Sequence, residues 1–138
     1  MNINAGGRRI LVVDDDLAIR VLLQAVLTRM GFVADLAEDG EKGLGALEKK
    51  DPYDLILLDL MMPRINGYEF LKKVESSHAG ERPHIIVFTA AGQRGVEKIP
   101  AHAVCNSILK PFDLHKFIEL IGACIEERHS PCSNGDAE

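Results

Sequence analysis

Short apolar runs alternate along this chain with stretches of helical period, and the alternation repeats five times. Arg9–Val13, Phe32–Leu36, Asp54–Leu58, His84–Phe88 and Asn106–Leu109 are the apolar runs, bounded by polar or turn residues. Runs of this kind read as buried strands of a parallel sheet. Between the first two, Ile19, Leu22, Leu23, Val26, Leu27 and Met30 recur at i, i+3, i+4, i+7, i+8 and i+11, one buried helical stripe. Asp16 stands where it can cap that helix, and Gly31 where it can end it. A helix over 40–50 is more weakly coded. Gly43 and Gly45 each cost roughly 1 kcal/mol relative to alanine, only Leu44 and Leu47 anchor it, and Asp51-Pro52 ends it. After a loop holding Pro63 and Gly67, the residues Phe70, Leu71 and Val74 mark a helix over 67–77. Asp113 caps the last helix, whose stripe is Leu114, Phe117, Ile118, Ile121 and Ile125.

Alternating βα units of this length imply a three-layer α/β sandwich, (βα)5, with right-handed crossovers. Its five parallel strands fit the 2-1-3-4-5 order of flavodoxin-like sheets. That order comes by analogy, since periodicity supplies only the elements. The domain is expected over 9–128. Residues 1–8 and 129–138 are expected to be flexible termini, the latter rich in polar turn chemistry.

At 138 residues the chain makes one domain with room for a real core. A formal charge of −5, with no basic run longer than Arg8-Arg9, argues against a nucleic-acid surface. The three cysteines are odd in number and lack CxxC spacing, so they read as reduced cytosolic thiols. Cys124 reads as a packing residue off the main stripe of its helix. Residues 1–9 lack the apolar core of a signal peptide, and no apolar stretch approaches the ~20 residues of a membrane span. A cytoplasmic location without a membrane partner is expected. The five histidines are scattered without ligand spacing and read as ordinary residues.

The candidate chemistry lies just past the strands. Asp14-Asp15-Asp16 follows the first, Asp59 the third, Thr89 the fourth and Lys110-Pro111 the fifth. In an open parallel sheet these strand ends share one edge, where sites form. Taken singly each has a plain explanation: a helix cap, a loop carboxylate, a strand-end threonine, a snorkelling lysine. A cap needs only one aspartate of the three, however, and four polar strand ends on one edge ask for a common cause. Hard oxygen ligands without His or Cys suit Mg²⁺, held at ~2.1 Å. Asp59 would be the nucleophile toward phosphorus and form an acyl phosphate. Lys110 and Thr89 would cradle the remaining oxygens.

Taken together, Ile10-Leu11-Val12-Val13-Asp14-Asp15-Asp16, Asp54–Pro63 with Gly67-Tyr68-Glu69, Thr89-Ala90 and Lys110-Pro111-Phe112 resemble a known family. The chain is similar to response-regulator receiver domains of bacterial two-component signalling, in the single-domain form of a chemotaxis regulator. The resemblance implies that Asp59 accepts phosphate from a histidine kinase or a histidine phosphotransfer protein. It implies that Asp15 and Asp59 bind Mg²⁺ directly, that Asp14 acts through water and that the backbone carbonyl of Met61 completes the ligands. It also implies a cis Lys110-Pro111 bond and signalling through phosphorylation-dependent binding of an unnamed downstream protein. A phosphorelay intermediate, or a receiver within a longer protein, stays open.

Two positions depart from the family. Ser107 stands where an aromatic ring commonly turns with the threonine. Ala91–Cys105, broken by Gly92, Gly95 and Pro100, leaves room for about two helical turns, where a fuller fourth helix is usual. Two other functions compete. An aspartate-nucleophile phosphatase of the haloacid dehalogenase type would want a second Asp at the place Met61 holds, so an enzyme acting on external phosphoesters is not expected. An FMN carrier would want a Ser/Thr/Gly phosphate loop where three aspartates stand.

Overall fold

Leu55, Ile56, Leu57 and Leu58 are all fully buried, so the strand they form hides both its faces and lies inside the sheet. The computed structural model describes residues 7–48, 53–62, 65–77, 83–89, 95, 97–99, 104, 106–110 and 113–127. The strands are β1 (Arg9–Val13), β2 (Val33–Ala37), β3 (Leu55–Leu58), β4 (His84–Thr89) and β5 (Asn106–Leu109). They form one parallel sheet in the order β2-β1-β3-β4-β5. The described helices are α1 (Leu17–Arg29), α2 (Gly40–Leu47), α3 (Gly67–Ser77) and α4 (Leu114–Glu127).

Side chains of a strand alternate between faces, and here the alternation sorts the core in two. Ile10, Val12, Leu55, Leu57, Ile86 and Phe88 pack with Leu23 and Leu27 of α1 and with Phe117, Ile121 and Ile125 of α4. Leu11, Val13, Ile56, Leu58, Ile85 and Val87 pack on the other side with Phe70, Leu71 and Val74 of α3. The result is the flavodoxin-like three-layer arrangement. At the amino end of β1, Arg9 pairs with Asp35 at 2.7 Å and lies over the Tyr53 ring. The Tyr53 hydroxyl donates to the same carboxylate at 2.6 Å. Burial first, then Asp35, pushes that phenol up to about 12, so it stays a donor.

Several expectations are corrected. Leu22 is 43% exposed. The buried line of α1 centres on Leu23 and Leu27, and Leu22 lies about 100° around the helix from Leu23. Phe32 precedes β2 and is buried against the first core, while the strand runs on to Ala37. Strand β3 starts at Leu55, β4 reaches Thr89, and α2 stops at Leu47 with Glu48 as its C-cap. Gly31 does follow α1 with φ 95°, a conformation that favours glycine.

Cys124 is the larger correction. With Phe117, Ile121 and Ile125 it occupies i+7 of one face, so it sits on the buried stripe, not off it. It is also disulfide-bonded and is not a free thiol. Spacing along the chain reports only local cysteine pairs; a pair brought together by packing leaves no such signature. The expectations for Asp51-Pro52, Pro63, Pro111, most of Ala91–Cys105 and residues 1–6 and 128–138 fall outside the described residues. Arg8, assigned above to the flexible N-terminus, accepts the Val33 amide at 2.9 Å through its carbonyl.

The two glycines that weaken α2 have different causes. A Cβ on Gly43 would lie 2.9 Å from Phe70 and 3.1 Å from Val13, so glycine lets α2 settle onto β1 and α3. Gly45 faces open space. Gly45→Ala should therefore stabilise the protein by about 0.5–1 kcal/mol, whereas Gly43→Ala should destabilise it by about 1–3 kcal/mol through overpacking. Urea denaturation midpoints of the two variants measure this; equal shifts would refute the distinction.

Candidate functional site

The carboxyl ends of β1, β3, β4 and β5 carry Asp14, Asp59, Thr89 and Lys110. Asp14 extends β1 by one rung, its amide donating to the Ala37 carbonyl at 3.1 Å. Asp59 does the same for β3, donating to Val13 at 3.0 Å. The sheet thus continues into the site and carries both carboxylates inward, and both are buried. A buried carboxylate is costly unless its oxygens find donors. Asp14 Oδ1 accepts the Asp16 amide at 2.8 Å and Oδ2 the Lys110 ammonium at 3.0 Å. Asp59 Oδ1 accepts the Met61 amide at 3.1 Å, and Oδ2 lies 3.4 Å from the same ammonium.

Lys110 is held from its own backbone. Its amide donates to the Thr89 carbonyl at 2.8 Å, and its Nζ stands 5.1 Å from the centre of the Phe88 ring. Phe88 in turn packs edge-on against Phe117. Thr89 is fully buried at the end of β4, two residues past Val87, which is the register partner of Leu58. Asp15 is exposed, yet its carboxylate reaches the other two: oxygens of Asp14, Asp15 and Asp59 lie within 4.8 Å of one another. Asp16 points elsewhere and caps α1 by accepting the Ala18 amide at 2.9 Å.

Burial raises Asp14 to about 6, helped by the charge of Asp59 and opposed by the Asp16 amide and Lys110. Burial also raises Asp59, with Asp15 adding and the Met61 amide and Lys110 opposing. Dehydration therefore leads, with like-charge repulsion behind it. Burial would by itself lower Lys110, but Asp14 and Asp59 outweigh it and hold the ammonium above its ordinary range. Three carboxylates against one ammonium leave two negative charges. A hard divalent cation matches that charge and those oxygen donors, and the exposed Asp15 marks the side from which it can enter.

Thus Asp14, Asp15, Asp59 and Lys110 meet in one cluster, and Thr89 joins them through the Lys110 backbone. Met61 contributes its amide there while its side chain is exposed. Three further residues take part. Arg20 of α1 donates from Nη1 to the Asp14 carbonyl oxygen at 2.7 Å. Gly67 donates its amide to the Leu60 carbonyl at 3.0 Å, and a Cβ there would come within 2.5 Å of the Leu60 Cα. Tyr68 donates its hydroxyl to the Gly95 carbonyl at 2.7 Å. The only sequence signal for Arg20 is a cation near the start of a helix, where the dipole disfavours it. Tyr68 stands out in the sequence only as part of the Gly67-Tyr68-Glu69 run, with no role attached to it.

Residues 10–122 match the family model of the response regulator receiver domain. The chain belongs to that family. The receiver domain is 33% identical over 117 residues to a probable chemotaxis protein CheY of Rhizobium etli, covering 83% of this chain and 90% of that protein. It is 34% identical to the transcriptional regulatory protein CpxR of Klebsiella pneumoniae over 88% of this chain, but spans only 50% of CpxR. Among solved structures it superposes on the response regulator TrrA of Thermotoga maritima, in complex with Mg²⁺ and BeF, with a TM-score of 0.74. The identity there is 32%, covering 85% of this chain and 98% of TrrA. No described helix of the receiver domain is long and apolar enough to cross a membrane.

A carboxyl group raised by folding takes up its proton more readily in the native state than in the unfolded chain. Its penalty is absent below the unfolded value of 3.8 and complete once the pH has climbed through about 6. Asp14→Asn removes that penalty. In EDTA at pH 7.5 the variant should melt above wild type, by about 3–6 °C, and the gap should close as the pH falls toward 4. Its affinity for Mg²⁺ should drop about 10-fold. Equal melting temperatures at pH 7.5 would count against a tightly packed acidic cluster.

Proposed function

We propose that this receiver domain takes a phosphoryl group onto Asp59 from the phosphohistidine of a histidine kinase or phosphotransfer protein. The observation that carries the reading is the buried Asp59 carboxylate, grouped with Asp14 and Asp15 and 3.4 Å from Lys110 Nζ. A carboxylate oxygen of Asp59 bonds to phosphorus as the phosphorus–nitrogen bond of the donor breaks, and the bonding pair leaves with the imidazole. Lys110 pairs with a phosphoryl oxygen from its place beside Oδ2, and the Thr89 hydroxyl takes another. Asp15, Asp59 and the Met61 carbonyl would hold Mg²⁺, with Asp14 acting through water. Bound Mg²⁺ supplies the charge that keeps the acidic cluster ionised and screens it from the incoming phosphoryl group.

Such a protein turns over only its own acyl phosphate and is not an enzyme toward outside phosphoesters, since Met61 offers no general acid. It signals in the cytoplasm by phosphorylation-dependent binding to another protein, without contacting nucleic acid itself. The half-length coverage of CpxR favours a second reading for the output, in which the receiver governs a further domain.

Incubation with acetyl phosphate and Mg²⁺, followed by mapping of the label, tests the acceptor. Label should appear on Asp59, be released by hydroxylamine and be absent from Asp59→Asn; wild-type labelling of that variant would overturn the assignment. A second measurement addresses the switch. Ser107 is half-buried in β5 and pairs with Val87, and it cannot fill the ~150 Å² that a buried ring covers. Phosphorylation should therefore change hydrogen exchange mainly across residues 90–104, and Ser107→Tyr should leave phosphoryl acceptance nearly intact. Flat exchange there, or a Ser107→Tyr protein that takes no phosphate, would refute this switch.

A further inference from the structure

We infer that Arg20 is a positioning residue for the acidic pocket: by clamping the Asp14 carbonyl it fixes the loop that presents Asp15, and so sets the affinity for Mg²⁺. The inference rests on the reading of the pocket as a Mg²⁺ site. Strand β2 ends at Ala37, and the carbonyl of Asp14 is taken by the guanidinium of Arg20 at 2.7 Å. Every polar atom of Asp14 is then engaged, because its amide, Oδ1 and Oδ2 bond Ala37, Asp16 and Lys110.

The clamp closes on itself. Side chains on a helix lean toward its N-terminus, so Arg20 reaches back over the first turn of α1. Its own amide donates to the Asp16 carbonyl at 3.1 Å while its side chain holds Asp14. Asp15 lies between these two pinned residues. It is exposed, and no wall of the core orients it. Its carboxylate stays within 4.8 Å of the buried pair because the backbone on both sides is fixed.

Two effects of Arg20 oppose each other. A cation near the pocket repels Mg²⁺, and its charge is felt as far as Glu38, whose carboxyl is held down first by Lys42 and in small part by Arg20. A clamp that orders the ligand loop in advance favours binding. Groups that orient metal ligands are worth 10- to 100-fold in affinity. Arg20 acts through a carbonyl one residue from Asp15, which places it at the low end, yet above the repulsion of a solvated charge.

The sign of the effect decides between them. Mg²⁺ titrations of the full chain, read by calorimetry and by melting temperature, should give Arg20→Met about 10-fold weaker binding than wild type. Arg20→Lys, whose ammonium can still reach the carbonyl, should bind within about 3-fold of wild type. At saturating Mg²⁺ the acetyl phosphate reaction of Arg20→Met should match wild type and fall behind only at limiting Mg²⁺. A merely structural role would lower melting in EDTA without this split. If Arg20→Met does not melt cooperatively, Arg20→Gln, too short to span the gap, carries the same expectation. Unchanged or tighter Mg²⁺ binding by the neutral variant overturns the inference and leaves the pocket reading standing. Absence of Mg²⁺ binding by wild type overturns both.

Discussion

Two carboxylates are carried out of water by a sheet too apolar to solvate them, and the carboxyl edge of this protein is built around that fact. Asp14 and Asp59 are single-rung extensions of β1 and β3, so the hydrogen bonds that continue the sheet also place the charges. Neither can retreat to solvent without breaking a rung. Lys110 answers them from β5, and the backbone bond from Lys110 to Thr89 locks the answering charge to the end of β4. The fully buried strands therefore do more than make a core. Their packing, worth ~25 cal/mol per Å² of apolar area, holds together a cluster that would otherwise fly apart, and the surplus negative charge suits a divalent cation.

That coupling explains why so much of the fold and the site could be read in the chain. A strand hidden on both faces must be apolar throughout, so β1 and β3 stand out. A site at the edge of a parallel sheet must take its residues from just past the strands, so Asp14, Asp59, Thr89 and Lys110 stand out as well. The misreadings share a different origin. For Leu22 and Cys124 the helical period gives a stripe but not its centre, and an error of one position turns a side chain by about 100°. Helix propensity shows only the cost of Gly43, whereas its use lies in the approach of Phe70 and Val13.

The bonds that Arg20 and Tyr68 make are invisible in the chain for a deeper reason. Each acts on a backbone carbonyl, and a carbonyl has no residue identity to be recognised by. Side-chain-to-side-chain chemistry, such as three aspartates and a lysine, leaves a compositional trace. A bond from a guanidinium or a phenol to the main chain leaves none, because any residue could supply the acceptor. Only the folded geometry, with β1 ending beside α1 and α3 beside the Gly95 segment, brings these donors into the account.

The start of α3 ties the residue after Asp59 to a segment outside the pocket. Gly67 rests against Leu60, the residue after Asp59, with no room for a methyl group between them. The next residue, Tyr68, grips Gly95, which follows β4 and its terminal Thr89. Two adjacent residues thus join the backbone behind Asp59 to Gly95. In this chain β5 offers only Ser107 where a turning ring would be expected, and a serine has too little surface to couple one element to another by packing. A hydrogen bond from α3 has no such need of bulk. Its geometry is directional, so it fixes the start of α3 against Gly95 without a packed ring. The contacts run along the main chain, from Leu60 beside Asp59 through Gly67 to Tyr68 and Gly95.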